Sequence, residues 1–171
     1  MNSLKAVFLD RDGILNVDKG YVSKIENVEW MPGVIDFLLK LKNMGFSFFV
    51  MTNQSGIGRG YYTEDDVIKL HQKMDEYLVK NGIEIKKWYY SLSLDDPNRK
   101  PNPGLFLQCA EEFKVNLHQS FMIGDKESDV INLVGPKYII LQGRYPLENL
   151  AKHAKVVHDF VEAYDVIKNF S

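Results

Sequence analysis

The sequence predicts an α/β domain of three layers, with helices packed on both faces of a mostly parallel sheet and residues 1–171 forming one domain. Three observations predict this. Short apolar runs alternate with helix-period segments along the whole chain. The run at 46–51 is apolar without interruption, as a strand buried on both faces requires. Polar clusters follow four of the strand-like runs, at the edge where an open parallel sheet binds its ligands.

Residues 5–9 form the first predicted strand, which leads directly into Asp10-Arg11-Asp12-Gly13. From about 14 to 30 the chain is irregular and polar, with short hairpin pieces. Pro32-Gly33 opens a helix whose apolar face is Val34, Phe37, Leu38, Leu41 and Met44, and Gly45 closes it. After the strand at 46–51, Thr63-Glu64-Asp65-Asp66 has the pattern of a helix cap, and that helix runs to about 80, before Asn81-Gly82. Residues 88–92 read as a third strand and 103–113 as a third helix. A short strand at 120–123 ends at Gly124-Asp125, two more follow at 138–141 and 155–157, and 160–168 is the last helix. Residues 142–149 read as a plain loop.

Bulk properties narrow the function. At 171 residues the chain can bury one good core and is short for two. Its 21 basic and 23 acidic residues nearly cancel, so charge makes no case for nucleic acid or membrane. The single cysteine, Cys109, excludes an internal disulfide framework and sits in a helical apolar pattern, as a core thiol. Lys5 is followed at once by a strand, so no signal peptide is expected, and no apolar run is long enough to cross a bilayer. A cytoplasmic protein is expected.

Four clusters carry the chemistry. In extended chain residues i and i+2 point the same way, so Asp10 and Asp12 can share one small site. Carboxylates that close repel unless a cation or a shared proton offsets them. Taken alone, the pair also fits a strand ending in an Asx-type turn. Thr52-Asn53-Gln54-Ser55-Gly56 offers a hydroxyl, amides and backbone N–H groups suited to phosphate oxygens. The Gly56-Ile57-Gly58-Arg59-Gly60 stretch that follows matches no nucleotide loop. Arg99-Lys100-Pro101-Asn102-Pro103-Gly104 sets two cations before a helix; Lys100 can neutralise a phosphoryl group and Arg99 can reach a substrate oxygen. Asp125, in Gly124-Asp125-Lys126-Glu127-Ser128-Asp129, can join Asp10 in holding a hard divalent ion such as Mg²⁺ through oxygen. Asp129 is either an outer ligand or an acid at a helix N-terminus, with the second role favoured. His71, His118, His153 and His158 show no zinc spacing and read as helix-surface or loop residues.

In order and spacing these four clusters resemble the signature of the haloacid dehalogenase superfamily of aspartate-nucleophile phosphohydrolases, closest to its small-sugar and histidinol phosphatases. Gly20-Tyr21-Val22 and Gly58-Arg59-Gly60-Tyr61 add to the resemblance, which covers roughly residues 5–142. It implies a Rossmann-like, haloacid dehalogenase-like fold. It also implies that Asp10 is the nucleophile that forms an aspartyl phosphate, and Asp12 the general acid/base. Thr52 and Lys100 would hold the transferring phosphoryl group. Asn53, Ser55, Arg59, Arg99 and Lys126 would contact substrate or position it. Mg²⁺ would lie between Asp10, the Asp12 backbone carbonyl and Asp125. The implied substrate is a sugar phosphate, a heptose 1,7-bisphosphate losing its 7-phosphate, with histidinol phosphate or another small metabolite as the alternative. A catalytically idle binding protein on the same fold is the rival from another class. A polynucleotide 3′-phosphatase ranks below these, because no basic tract or aromatic-interleaved groove is apparent.

Two departures from that family bear on function. Many relatives carry a zinc-binding loop before the Arg-Lys-Pro segment; residues 91–98 here contain neither cysteine nor histidine, so no zinc is expected. The segment 129–137, cut by Gly135-Pro136, is short of the usual helix and is expected to hold one or two turns. The stretches from Asp10 to Thr52 and from Thr52 to Lys100 each already hold a helix, so no cap domain is expected. Loops near 16–24, 56–62 and 92–98 should then select the substrate. The expected partner is a small phosphorylated metabolite, a sugar phosphate, with no nucleic acid and no membrane, and the chain is expected to be a monomer.

Overall fold

The computed structural model describes residues 2–170. Six strands form one fully parallel sheet: β1 (Ala6–Leu9), β2 (Ser47–Asn53), β3 (Ile85–Ser91), β4 (Phe121–Gly124), β5 (Lys137–Leu141) and β6 (Lys155–Val157), in the order β3-β2-β1-β4-β5-β6. The helices are α1 (Val34–Asn43), α2 (Glu64–Lys80), α3 (Gly104–Phe113) and α4 (Phe160–Phe170), with single 3₁₀ turns at Ile25–Asn27, Leu117–Gln119 and Glu127–Asp129. The predicted alternation therefore holds, with strand bounds unchanged at β6 and moved by up to three residues elsewhere. The segment 129–137 falls short of the expected one or two turns. It keeps only the end of the Glu127–Asp129 turn before β5 begins.

Strand pleating sorts the apolar side chains into two cores. Val7 and Leu9 face one layer with α1, α2 and α4, while Ala6 and Phe8 face the other with α3. Phe8 is fully buried and meets the Phe106 ring edge-on at 5.1 Å. Truncating it to alanine costs about 3–5 kcal/mol. Helix ends follow the local sequence. Thr63 Oγ1 accepts from the Asp66 N–H at 3.1 Å while the Asp66 carboxylate accepts from the Thr63 N–H at 2.8 Å, the capping box that starts α2. No described helix is long and apolar enough to cross a membrane.

The topology decides where chemistry can occur. From β1 the chain crosses to β2 on one side, and β4 then lies against β1 on the other, so the loops leaving β1 and β4 diverge and open a crevice between them. Asp10 extends the ladder one residue past β1, its N–H donating to the Ile123 carbonyl at 3.0 Å. The first acid of the sequence thus stands on the most deeply buried strand, at the switch point, and its backbone is tied to the neighbouring strand.

Candidate active site

Three acids crowd the crevice. Carboxylate oxygens of Asp10, Asp125 and Asp129 lie within 4.8 Å of one another, and all three residues are buried. Their approach depends on two glycines. A Cβ on Gly13 would stand 2.1 Å from Asp125 Oδ2, and Gly13 also has a φ of +92°, which disfavours any side chain. A Cβ on Gly124 would stand 2.2 Å from Asp129 Oδ2. Burial, reinforced by the charge of Asp129, raises the Asp10 carboxyl to about 6 despite the pull of Lys100 and Lys126. Asp125 is pushed to about 9, first by burial and then by Asp10 and Asp129.

One cation is built into the cluster. Lys100 Nζ donates to Asp10 Oδ1 at 3.0 Å and to Asp129 Oδ1 at 2.5 Å, with its side chain 2% exposed. Burial disfavours its charge, but the two carboxylates outweigh that and hold it protonated. The second oxygen of Asp129 accepts from the backbone N–H groups of Asp125 (2.9 Å) and Lys126 (3.1 Å), capping the Glu127–Asp129 turn. Asp129 therefore does what a helix N-terminal acid does and also braces Lys100. Asp125 Oδ1 is buried without a hydrogen-bond partner. An orphaned carboxylate oxygen beside two further acids is a donor set for a hard divalent cation that prefers oxygen.

Asp12 has a different environment. Arg11 is fully buried and pairs with it, Nη2 lying 3.0 Å from Oδ2 and 3.1 Å from Oδ1. Asn16 Nδ2 donates to Oδ1 at 3.0 Å and Gln54 Nε2 to Oδ2 at 3.2 Å. Burial pushes the Asp12 carboxyl up, but Arg11 and these hydrogen bonds win and hold it below the usual range. The two acids of the opening motif are thus set apart electrostatically. Behind them the structure corrects the reading of His71 as a surface residue. It is buried, stacked on Trp88 with centroids 4.7 Å apart, and its Nε2 lies 3.2 Å from Arg11 Nη1. Because Arg11 can only donate, His71 accepts as a neutral ring protonated on Nδ1. Burial and the Arg11 charge keep its pKa well below the ordinary value.

The remaining predicted residues surround a cavity of about 310 Å³ lined by Asp10, Asp12, Asn53, Ser55, Arg59, Arg99, Lys100 and Lys126, among others. Thr52 is buried beneath it, and its Oγ1 accepts from Gln54 Nε2 at 2.9 Å. The Asn53 amide is engaged with the chain: Oδ1 accepts from the Lys100 N–H and from Ser91 Oγ, both at 3.0 Å, and Nδ2 donates to the Lys100 carbonyl at 3.2 Å. It holds the Lys100 segment against β2. Arg99 Nη1 is a buried donor without a partner. A larger cavity of about 680 Å³ on the α3 face is lined by Val130, Leu133, Pro136 and Tyr138; it holds none of the acid cluster.

Sequence reasoning missed several lining residues. Gln54 links Thr52 to Asp12, and its orientation is set by Tyr62, whose hydroxyl donates to Oε1 at 2.7 Å. Its place between Thr52 and Ser55 was the available signal. Asp18, Arg144 and Tyr145 line the opposite wall, which makes 142–149 more than a plain loop. Tyr145 Oη donates to Asp18 Oδ2 at 2.5 Å and Arg144 Nη1 to the Asp18 carbonyl at 2.9 Å. No local pattern announces a contact between residues so distant in sequence.

Comparison with known proteins agrees with this geometry. The family model described as polynucleotide kinase 3 phosphatase matches residues 6–162. The D-glycero-beta-D-manno-heptose-1,7-bisphosphate 7-phosphatase of Helicobacter pylori strain 26695 is 43% identical over 98% of this chain and 100% of its own. The protein of the same name from Haemophilus influenzae is 42% identical over 78% of this chain and 77% of its own. Among solved structures, the D,D-heptose 1,7-bisphosphate phosphatase from B. bronchiseptica, complexed with magnesium and phosphate, superposes with a TM-score of 0.87 at 25% identity. That match covers 98% of this chain and 100% of the other. The family model over most of the chain and the full-length relative at 43% identity show that the chain belongs to the polynucleotide kinase 3 phosphatase family of haloacid dehalogenase-superfamily phosphohydrolases.

Proposed function

We propose that this protein is a Mg²⁺-dependent phosphomonoesterase that removes the 7-phosphate of a heptose 1,7-bisphosphate, in the formation of nucleotide-activated heptose. The observation that carries the reading is the buried Asp10–Asp125–Asp129 cluster with Lys100 bonded into it, in a chain whose full-length relative is named for that reaction. Asp10 attacks phosphorus: the bond from phosphorus to the sugar oxygen breaks as a carboxylate oxygen of Asp10 bonds to phosphorus, giving an acyl phosphate, and water then attacks phosphorus, releasing phosphate and restoring the carboxylate. Asp12 gives a proton to the departing sugar oxygen and takes one from the attacking water. At rest Arg11 holds Asp12 ionised; an arriving phosphate dianion opposes that charge and drives Asp12 toward its protonated form.

Lys100 and Thr52 hold the phosphoryl oxygens and stabilise charge that develops on them. Since Thr52 Oγ1 accepts from Gln54, its own proton is left to donate. Ser55, Arg59, Arg99 and Lys126 contact the substrate, and Asn53 acts through the Lys100 backbone. The acid cluster suits Mg²⁺, which Asp10, the Asp12 carbonyl and Asp125 would hold, and its charge would offset the repulsion between an anionic nucleophile and an anionic ester. Zinc has no part in this reading. Asp96 closes loop 91–98 instead, its carboxylate accepting from the N–H groups of Leu92 and Asn98, both at 2.8 Å. The enzyme works as a cytoplasmic monomer; its one thiol, Cys109, is buried and pushed up to about 12 by that burial, so it stays inert.

A polynucleotide 3′-phosphatase is the second reading, favoured by the description of the family model and opposed by the near-neutral charge. The test is phosphate release from both heptose 1,7-bisphosphate anomers, histidinol phosphate and a 3′-phosphorylated oligonucleotide, with Mg²⁺ and then with chelator. The expected result is Mg²⁺-dependent release with the β-anomer preferred. Preference for histidinol phosphate or the oligonucleotide overturns the substrate, and release from no ester favours an idle binding protein.

A further inference from the structure

The cavity offers more cationic side chains than one phosphoryl group needs. Five line it, Arg59, Arg99, Lys100, Lys126 and Arg144, beside the acids Asp10, Asp12, Asp18 and Asp129. Lys100 is committed to Asp10 and Asp129. Lys126, the residue after Asp125, reaches toward the opposite wall, its Nζ 4.0 Å from Asp18 Oδ2. Lys100 thus stands where the reacting phosphoryl group must lie, and three arginines remain for the rest of the substrate.

Among the described residues, Arg144 is the one of the three whose side chain is held by another side chain and a backbone carbonyl. It comes from the loop after β5, two strands away from β1, which carries Asp10. At the usual spacing of neighbouring strands that separation is about 10 Å, on the scale of a seven-carbon sugar with a phosphate at each end. Its guanidinium lies over the Tyr145 ring, 5.1 Å from the centroid, and Nη1 donates to the Asp18 carbonyl. The Tyr145 ring is itself fixed by its hydroxyl bond to Asp18 Oδ2, and Lys126 Nζ lies over the same ring at 4.5 Å. Among the described residues Arg144 has no ion pair within 4.0 Å; the charge of the Asp18 carboxylate, itself bonded to Tyr145 Oη, acts on it from beyond that distance and raises its pKa. A guanidinium whose orientation is set, which forms no close ion pair and which lines a ligand cavity is prepared to bind an oxyanion at little entropic cost.

We infer that Arg144, held in place by Asp18 and Tyr145, determines specificity by binding a second anionic group of the substrate, the phosphate that is not hydrolysed. The inference rests on the sugar-phosphatase reading above and adds to it the residue that distinguishes a bisphosphate from a monophosphate. Asp18 and Tyr145 are positioning residues, acting through the arginine.

Steady-state kinetics on heptose 1,7-bisphosphate and heptose 7-phosphate tests this in the wild type, Arg144→Gln and Arg144→Lys. The wild type should favour the bisphosphate. Losing a charge-assisted contact is worth roughly ten- to a hundredfold. Arg144→Gln should therefore lower kcat/KM for the bisphosphate that much more than for the monophosphate, chiefly through KM, and Arg144→Lys should recover part of the preference. Tyr145→Phe, which keeps the ring and frees it from Asp18, should erode the same ratio less. Equal loss on both esters, or an unchanged ratio, overturns the assignment of Arg144 and leaves the sugar reading standing. A wild type that hydrolyses neither ester overturns both.

Discussion

Replacing Lys100 with methionine should destabilise the metal-free protein severely, and most at alkaline pH. The substitution keeps the length of the side chain and removes its charge. In the structure that charge stands 3.0 Å from Asp10 and 2.5 Å from Asp129, and all three side chains are at most 6% exposed. Without it, two buried carboxylates face each other and Asp125 with no built-in cation. Breaking a buried ion pair by deleting one partner costs about 3–5 kcal/mol. At about 2–4 °C per kcal/mol for a chain of this size, the midpoint should fall by roughly 6–20 °C. The pH dependence separates this cause from simple loss of packing. Asp10 already titrates at about 6 with Lys100 present, so protonation at lower pH removes the uncompensated charge. Urea denaturation in chelator should show the Lys100→Met deficit large at pH 8 and clearly reduced at pH 5, and Asp129→Asn should restore part of it. A deficit under about 1 kcal/mol, or one equal at both pH values, refutes the reasoning.

Three further outcomes follow from the same geometry. His71 is held neutral by burial and Arg11 with a pKa well below that of the unfolded chain. Its contribution to stability is therefore fully present above about 6.5 and is lost as pH falls through and below that value; in Gln at this position (His71→Gln) the slope of unfolding free energy between pH 6.5 and 5 should flatten, which denaturation at several pH values reads directly. Gly13→Ala would set a Cβ 2.1 Å from Asp125 Oδ2 at a φ of +92°; the protein should fold with a loss of about 1 kcal/mol or more, and stabilisation by added Mg²⁺ should weaken at least about tenfold in a thermal-shift titration. Tyr62→Phe removes the 2.7 Å hydrogen bond that orients Gln54 between Thr52 and Asp12; kcat should drop by about fivefold or more with little change in KM, and an unchanged kcat would show that Gln54 keeps its orientation unaided.

Much of the site could be read from sequence for a topological reason. In a parallel sheet every strand ends at the same edge, so the clusters after β1, β2, β3 and β4 had to converge once the strands were recognised. Asp10, Lys100 and Asp125 come together accordingly, and Thr52 is linked to Asp12 through Gln54. The misses share a cause as well. His71 stands in the buried stripe of α2, four residues after Val67 and three before Met74, where its polar side chain hid a position that periodicity marks as internal. The Arg144–Tyr145 wall depends on a pairing with Asp18 across more than a hundred residues, between two irregular segments with no period to read. Asp129 kept the capping role open to a short-range reading, while its bond to Lys100 is a tertiary contact that short-range rules cannot supply.

The central claim is that Asp10 carries the phosphoryl group. It is tested most directly by acid-quenching the enzyme during turnover of its best ester with Mg²⁺ and mapping the peptides by mass spectrometry. The account predicts one added phosphoryl group on the peptide bearing Asp10, and neither adduct nor turnover in a folded Asp10→Asn protein. A phosphoryl group on another residue, or steady turnover by Asp10→Asn, would contradict it.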